Sequence, residues 1–261
     1  MMRAAALEAL RVRDPQLKVQ AVAAIAAANL DAAWQPPEPG GIPGRPDRPE
    51  LVPPAKVRQR SPHSRQGRAA LIHSLAHIEF NAINLALDIL WRFPGMPVQF
   101  YLDWLKVARE EAFHFGLLNA HLRELGHAYG DFPAHDGLWE MAERTRDDIL
   151  ARLALVPRTL EARGLDASPV VRDKLAQAGD EDGAAILDII LRDEITHVAI
   201  GNKWYRQVCE SRGLDPVAHY RELARVYRAP RPRGPFNLPA RRLAGFSETE
   251  LRDLQEQASA G

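Results

Sequence analysis

Cysteine is almost missing from this 261-residue chain, where Cys209 stands alone. That excludes a disulfide framework and a cysteine-rich zinc site, and it suits a reducing compartment. Net charge is missing too, with 34 Lys and Arg against 34 Asp and Glu. A global attraction to nucleic acid or to an acidic membrane surface is therefore not the main theme. No apolar run is long enough to cross a bilayer, because the longest, Val19 to Trp34, is interrupted by Gln20, Asn29 and Asp31. The opening Met1-Met2-Arg3 lacks the charged, apolar and small-residue order of a signal peptide. A soluble, cytoplasmic protein with no membrane partner is expected. Alternating strand-type segments are absent, which argues against a sheet-based fold. A Gly-rich phosphate loop and a Gly-x-Ser-x-Gly elbow are absent as well.

What the chain does contain is helix-forming material, 46% hydrophobic and 26% charged, enough for a packed core. Residues 1–34 read as an N-terminal helical segment rich in Ala, Leu and Val. Residues 35–66 form a proline-rich arm, in which eight prolines from Pro36 to Pro54 deny the chain helix interiors and ladder hydrogen bonds. Residues 67–213 carry four helical runs: 67–93, 97–125, 137–163 and 181–212. Pro94-Gly95, Gly126, Gly164 and Gly213 close them, and Pro157 predicts a kink or break within the third. Runs of about 25–30 residues span roughly 40 Å each. Four such helices with short connections predict an all-α four-helix bundle, each helix antiparallel to its sequence neighbour. Residues 214–261 supply a C-terminal arm and short helices: one near 216–226, a Pro/Arg-rich stretch over 229–235, and one over 248–258 opened by the capping box Ser247-Glu-Thr-Glu250. Neither arm can bury a core of its own, so any order must come from docking.

Glu-x-x-His is the motif that carries chemistry, because residues three apart share a helix face and can grip one metal ion together. With 17 Glu and 9 His, chance supplies roughly 0.6 such pairs. The chain has three: Glu111/His114, Glu124/His127 and Glu194/His197. Two of them fall inside long helical runs and are matched by a Glu one run earlier: Glu79 lies 32 residues before Glu111, and Glu161 lies 33 before Glu194. Glu124/His127 fails this test, having Gly126 inside it and Arg92 where its partner should be. Glu79, Glu111, His114, Glu161, Glu194 and His197 make the donor set of a di-metal carboxylate site. Four carboxylates and two imidazoles hold two divalent ions and leave positions open for O2 or water. No catalytic residue beyond these ligands is expected.

On these residues the chain resembles the ferritin-like di-iron carboxylate superfamily, and within it an uncharacterised bacterial family similar to the tRNA-modifying adenosine hydroxylases. Glu161-Ala-Arg163 matches the third-helix ligand segment of that group, and the two Glu-x-x-His pairs and Glu79 match its other ligands. The resemblance covers residues 70–210. It implies a ferritin-like bundle, two iron ions (with manganese or a mixed pair as alternatives), O2 as co-substrate, an external electron donor and a hydroxylase or monooxygenase activity on an unidentified substrate. In such a site Glu111 and Glu194 are expected to bridge the two ions, with Glu79 and Glu161 terminal. Two other readings stay open: an iron-oxidising or metal-binding protein without an organic substrate, and a helical scaffold that does not turn over.

Other polar groups have simpler readings. Phe113 and Phe115 flank His114 and are expected to bury it. Glu110 is a rival to Glu111 that breaks the three-residue spacing. His73 and His77 face away from Glu79 and suit packing or support of the ligands. Asp188 and Asp193 are candidates to orient ligating histidines, and Cys209 reads as inert packing. Basic residues concentrate in both arms, seven over 45–68 and seven over 221–242. They suit either pairing with the acidic bundle surface or contact with the phosphates of an RNA partner.

Overall fold

The computed structural model describes residues 1–30, 32–58 and 60–259, and these are all-helical. Among the described residues the strand-like pairing is one isolated bridge, Leu51 to Ala134. No helix among them is long and apolar enough to cross a membrane. The backbone divides into two compact units, Met1–Glu140 with Lys174–Ile186, and Met141–Asp173 with Leu187–Gly261.

The first unit opens with α1 (Met2–Arg11) and α2 (Pro15–Ala24) where one helical segment to residue 34 was expected. The break follows from Asp14, whose carboxylate caps the Leu17 N–H at 2.8 Å, with Pro15 in the first turn behind it. Helix α3 (Arg65–Arg92) starts on the Ser64 hydroxyl, which accepts from Gly67 N at 3.0 Å, and α4 (Val98–Glu124) follows Pro97. These two helices pack on each other, α1 packs on α3, and α2 packs on α4.

Every residue of α3 from Glu79 to Trp91 is buried, so this helix is the centre of its unit. Its apolar residues fill the core, and the carboxylates and amides among them each make at least one hydrogen bond. Asn81 bonds the His77 carbonyl at 3.1 Å, Asn84 accepts from Lys18, and Asp88 accepts from Arg92 at 2.8 Å. Glu79 accepts from His114. A buried polar group without such a partner would cost roughly 1–3 kcal/mol.

Residues of the proline-rich arm dock within this unit. Gly44 N donates to Leu10 O at 2.8 Å, Val52 N to Ala134 O at 2.8 Å, and Arg45 pairs with Asp136 at 2.7 Å. The approach at Gly44 excludes a side chain, because a Cβ there would stand 2.1 Å from Arg11 O. Lys18 seals the contact. Its ammonium donates to Leu10 O and Gly44 O at 3.0 Å each and to the Asn84 side chain, over the Phe80 ring. Burial, with the nearby charge of Arg45, pulls its pKa down to about 7.

The third helical run does not form one helix. It is α5 (Gly137–Arg144), α6 (Ile149–Leu155), a π-helical turn (Val156–Glu161) and α7 (Ala162–Gln177). Thr145 bonds back to Met141 O at 2.8 Å and ends α5, and Asp148 caps Leu150 N at 2.9 Å to start α6. Pro157 has no N–H for the helix ladder, and the chain widens into the π turn around it. Gly164 does not end the helix as expected. Helix α7 continues through it and through Pro169 to Gln177.

Helix α8 (Glu181–Ser211) runs as predicted, and α9 (Pro216–Val226) packs on α6. The second unit then adds α10 (Leu238–Leu243), which the sequence reading did not foresee, and α11 (Glu248–Ser259). Gly201 of α8 lies against the π turn, where an added Cβ would meet Pro157 Cβ at 2.7 Å. Ala162, Leu165, Val198, Ala240 and Ala244 form a small core there, with Leu191, Ile195 and Phe246 against it. Arg158 is its polar centre. It pairs with Glu250, donates to Asn202 at 2.9 Å, and lies over the rings of Tyr205, Tyr220 and Phe246.

Candidate metal centre

The register of α3 and α4 brings Glu79, Glu111 and His114 together. His114 Nδ1 donates to Glu79 Oε2 at 3.1 Å, and Glu111 Oε2 stands 3.7 Å from the same nitrogen. The i,i+3 spacing places Glu111 and His114 on one face of α4, which is what the sequence motif predicts. Glu111 and His114 are 0% exposed and Glu79 is 5% exposed, so solvent does not screen these charges. With Glu194 of α8, 7% exposed, they form a buried cluster whose ligand atoms all lie within 4.8 Å of one another and could hold a metal ion.

The electrostatics of this cluster ask for a positive charge. Burial alone would keep the His114 imidazole neutral. Hydrogen bonds and charge from Glu111 and Glu79 outweigh it and push the pKa up to about 11. Three buried carboxylates and one imidazole are the donor chemistry of a divalent cation with a preference for oxygen and imidazole ligands, so the residues fit a metal ion. Aromatic rings stand one residue along from the ligands. Phe80 and Phe115 lie 5.5 Å apart by centroid, and Tyr129 packs on both.

His197 is fully buried, and its Nδ1 lies 3.5 Å from Glu194 Oε1 in the i,i+3 geometry the sequence predicts. Glu161 is half-buried at the last position of the π turn. Neither belongs to the four-residue cluster.

The remaining candidates fall as follows. Glu124 bonds His121 at 3.2 Å, and His127 bonds Asp131 at 3.3 Å, so that third pair closes on other partners. Glu110 pairs with Lys106 at 2.7 Å. Phe113 is 53% exposed and does not bury His114, a correction that follows from its place on the far side of α4; Phe115 does face the core. Asp188 pairs with Arg172 at 3.2 Å and does not orient a histidine, and Asp193 pairs with Arg192 at 2.8 Å.

His73 and His77 pack beneath the 129–135 loop. His73 Nε2 accepts from Gly130 N at 2.9 Å, and His77 Nδ1 and Tyr129 Oη are 2.9 Å apart. Burial holds both near pKa 4 and keeps them neutral. Cys209 is buried and its thiol pKa is raised by that burial.

The molecule is thus an all-helical protein with a buried carboxylate–histidine cluster competent for a metal ion. Residues 11–252 match the model of a family described as "Protein of unknown function (DUF455)". The chain is 54% identical over 218 residues to an "Uncharacterized protein" of Haemophilus influenzae, with 81% of this chain and 76% of that one covered. No solved structure matches it. The chain belongs to the DUF455 family.

Proposed function

We propose that this protein is a ferritin-like di-metal carboxylate oxidoreductase. In this reading Glu79, Glu111, His114, Glu161, Glu194 and His197 hold two divalent ions, iron in first place, and the reaction is an O2-dependent hydroxylation fed by an external electron donor. The observation that carries the reading is the buried cluster of Glu79, Glu111, His114 and Glu194. Three carboxylates taken out of water carry a desolvation cost, and a divalent ion bound among them would offset it. The paired spacing of the Glu residues and Glu-x-x-His motifs along the chain adds the second half of the ligand set.

When bound, a redox-active ion pair supplies the electron transfer to O2 that hydroxylation needs. The protein's own residues do the rest. Glu79 fixes the ring of His114 through Nδ1, and Phe80, Phe115 and Tyr129 form an apolar wall that limits water.

Elemental analysis of freshly purified protein, paired with O2 uptake in the presence of a reductant, tests the reading. Two ions per chain and reductant-dependent O2 consumption are expected, with at least one ion and the O2 uptake lost in Glu111→Ala. Full metal content in Glu111→Ala would overturn the site. Bound metal with no O2 consumption by the wild type would overturn the oxidoreductase assignment.

A further inference from the structure

The second unit encloses a cavity of about 480 Å³ that has no part in the reading above. That volume lies within the range of small-molecule sites, roughly 300–1,000 Å³. Its walls come from the π turn, from α7, α9, α10 and α11, and from the segments that join the last three. Arginine dominates the lining, with seven arginines against three acidic residues. Each acid is already closed by its own arginine: Asp166 by Arg241, Glu250 by Arg158, and Asp253 by Arg221. Four guanidinium groups, Arg163, Arg225, Arg231 and Arg233, are left over. Among the described residues their side chains make no hydrogen bond or ion pair, and all four are exposed.

Three features make this more than a scatter of surface charge. The four groups converge on one concavity, where low-dielectric walls concentrate their field. Arg231 and Arg233 alternate with Pro230 and Pro232, whose rings fix φ and stiffen the segment, and both arginines line the cavity. Arg158, also in the lining, is 3% exposed, and its Nε makes no hydrogen bond. Guanidinium groups are forked donors matched to phosphate oxygens, so four open ones around a small cavity are built for a compact polyanion. Val217, Ala224, Tyr220 and Leu254 supply an apolar side for the uncharged part of such a ligand.

We infer that this cavity binds a small phosphorylated compound carrying two or more negative charges, with Arg163, Arg225, Arg231 and Arg233 as its phosphate contacts. The inference is independent of the metal reading and stands if that reading fails.

Calorimetric titration of the full chain with sodium pyrophosphate at physiological ionic strength tests it. One-to-one binding is expected, weakened at least tenfold in the double variant Arg231→Gln/Arg233→Gln. The control Arg123→Gln/Arg144→Gln, two exposed arginines outside the cavity, keeps the wild-type affinity. Absence of binding, or equal loss in both double variants, would overturn the site. Binding of a single-stranded RNA oligonucleotide without binding of pyrophosphate would replace the small ligand with a nucleic acid and overturn the inference equally.

Discussion

Arg158 and Glu250 stand 92 residues apart in the chain and close into a buried ion pair. Arg206 reaches the same carboxylate at 2.9 Å, and the Ser247 amide and hydroxyl donate to it at 2.7 and 2.9 Å. One glutamate therefore ties the π turn, α8 and the first turn of α11 into a single network, and the cavity above rests on it.

Breaking this pair strands a buried arginine. Glu250→Gln should destabilise the protein by about 3–5 kcal/mol, the usual cost of removing one partner from a buried pair. Acid should act the same way. Burial alone would raise the Glu250 pKa, but Arg158, the Ser247 amide and Arg206 outweigh it and hold it at about 2 against the ordinary 4.5. Its contribution is thus fully present above pH 4.5 and is lost as pH falls from 4.5 towards 2. Urea melts across that window should show the loss in the wild type and its absence in Glu250→Gln.

His73 predicts acid sensitivity in the first unit at a higher pH. Burial, the leading cause, holds its imidazole at about pKa 4 against the ordinary 6.5, because charging it means placing a cation beneath the Tyr129 and Phe132 rings. Folding favours the neutral form, so the contribution is present above pH 6.5 and is lost as pH falls towards 4. Replacement by Gln, which carries no titrating group, should remove that part of the pH dependence. An unchanged slope of stability between pH 6.5 and 4 in His73→Gln would contradict the assignment.

Two glycines show how much of the helical plan the sequence discloses. Local stops made the ends of α3, α4 and α8 legible, since Pro94-Gly95, Gly126 and Gly213 act where they stand and all three glycines take a positive φ. Glu-x-x-His spacing was legible for the same reason: a helix converts a spacing of three into a shared face. Gly164 misled because a glycine marks a helix end only when it takes a left-handed conformation, as Gly126 does at φ 82°, and Gly164 sits inside α7. Helix α10 was hidden because its six residues carry no periodic pattern, and its position depends on tertiary pairs such as Arg241 with Asp166. Where Glu161 lands was not readable either, because the π turn around Pro157 shifts the helical register just before it.

That contrast yields opposite expectations for the same substitution. Gly164→Ala meets nothing within 4 Å and replaces a glycine in a helix interior, so it should stabilise by about 0.5–1 kcal/mol. Gly201→Ala drives a methyl to 2.7 Å from Pro157 Cβ and should destabilise by about 1–3 kcal/mol. Denaturant midpoints for the two variants read both signs. Equal effects would mean that the packing of α8 on the π turn does not constrain that helix.

The carboxylate cluster makes the last prediction, which concerns stability alone. In metal-free protein, Glu79, Glu111 and Glu194 bring three carboxyl groups together beside His114 in a buried space. A divalent ion binding the folded chain and not the unfolded one should stabilise it by about 2.7 kcal/mol at a concentration of 100 times its Kd. Thermal melts of protein stripped by a chelator and then reloaded with Mn(II) or Fe(II) should therefore climb with metal concentration. Glu111→Gln keeps the shape of the side chain and removes one charge. Its stripped form should be no less stable than stripped wild type, and its response to metal should shrink. The opposite pattern, a stripped variant well below wild type and a wild type indifferent to metal, would make the cluster a hydrogen-bonded core, with His114 held as a cation for packing and not as a ligand.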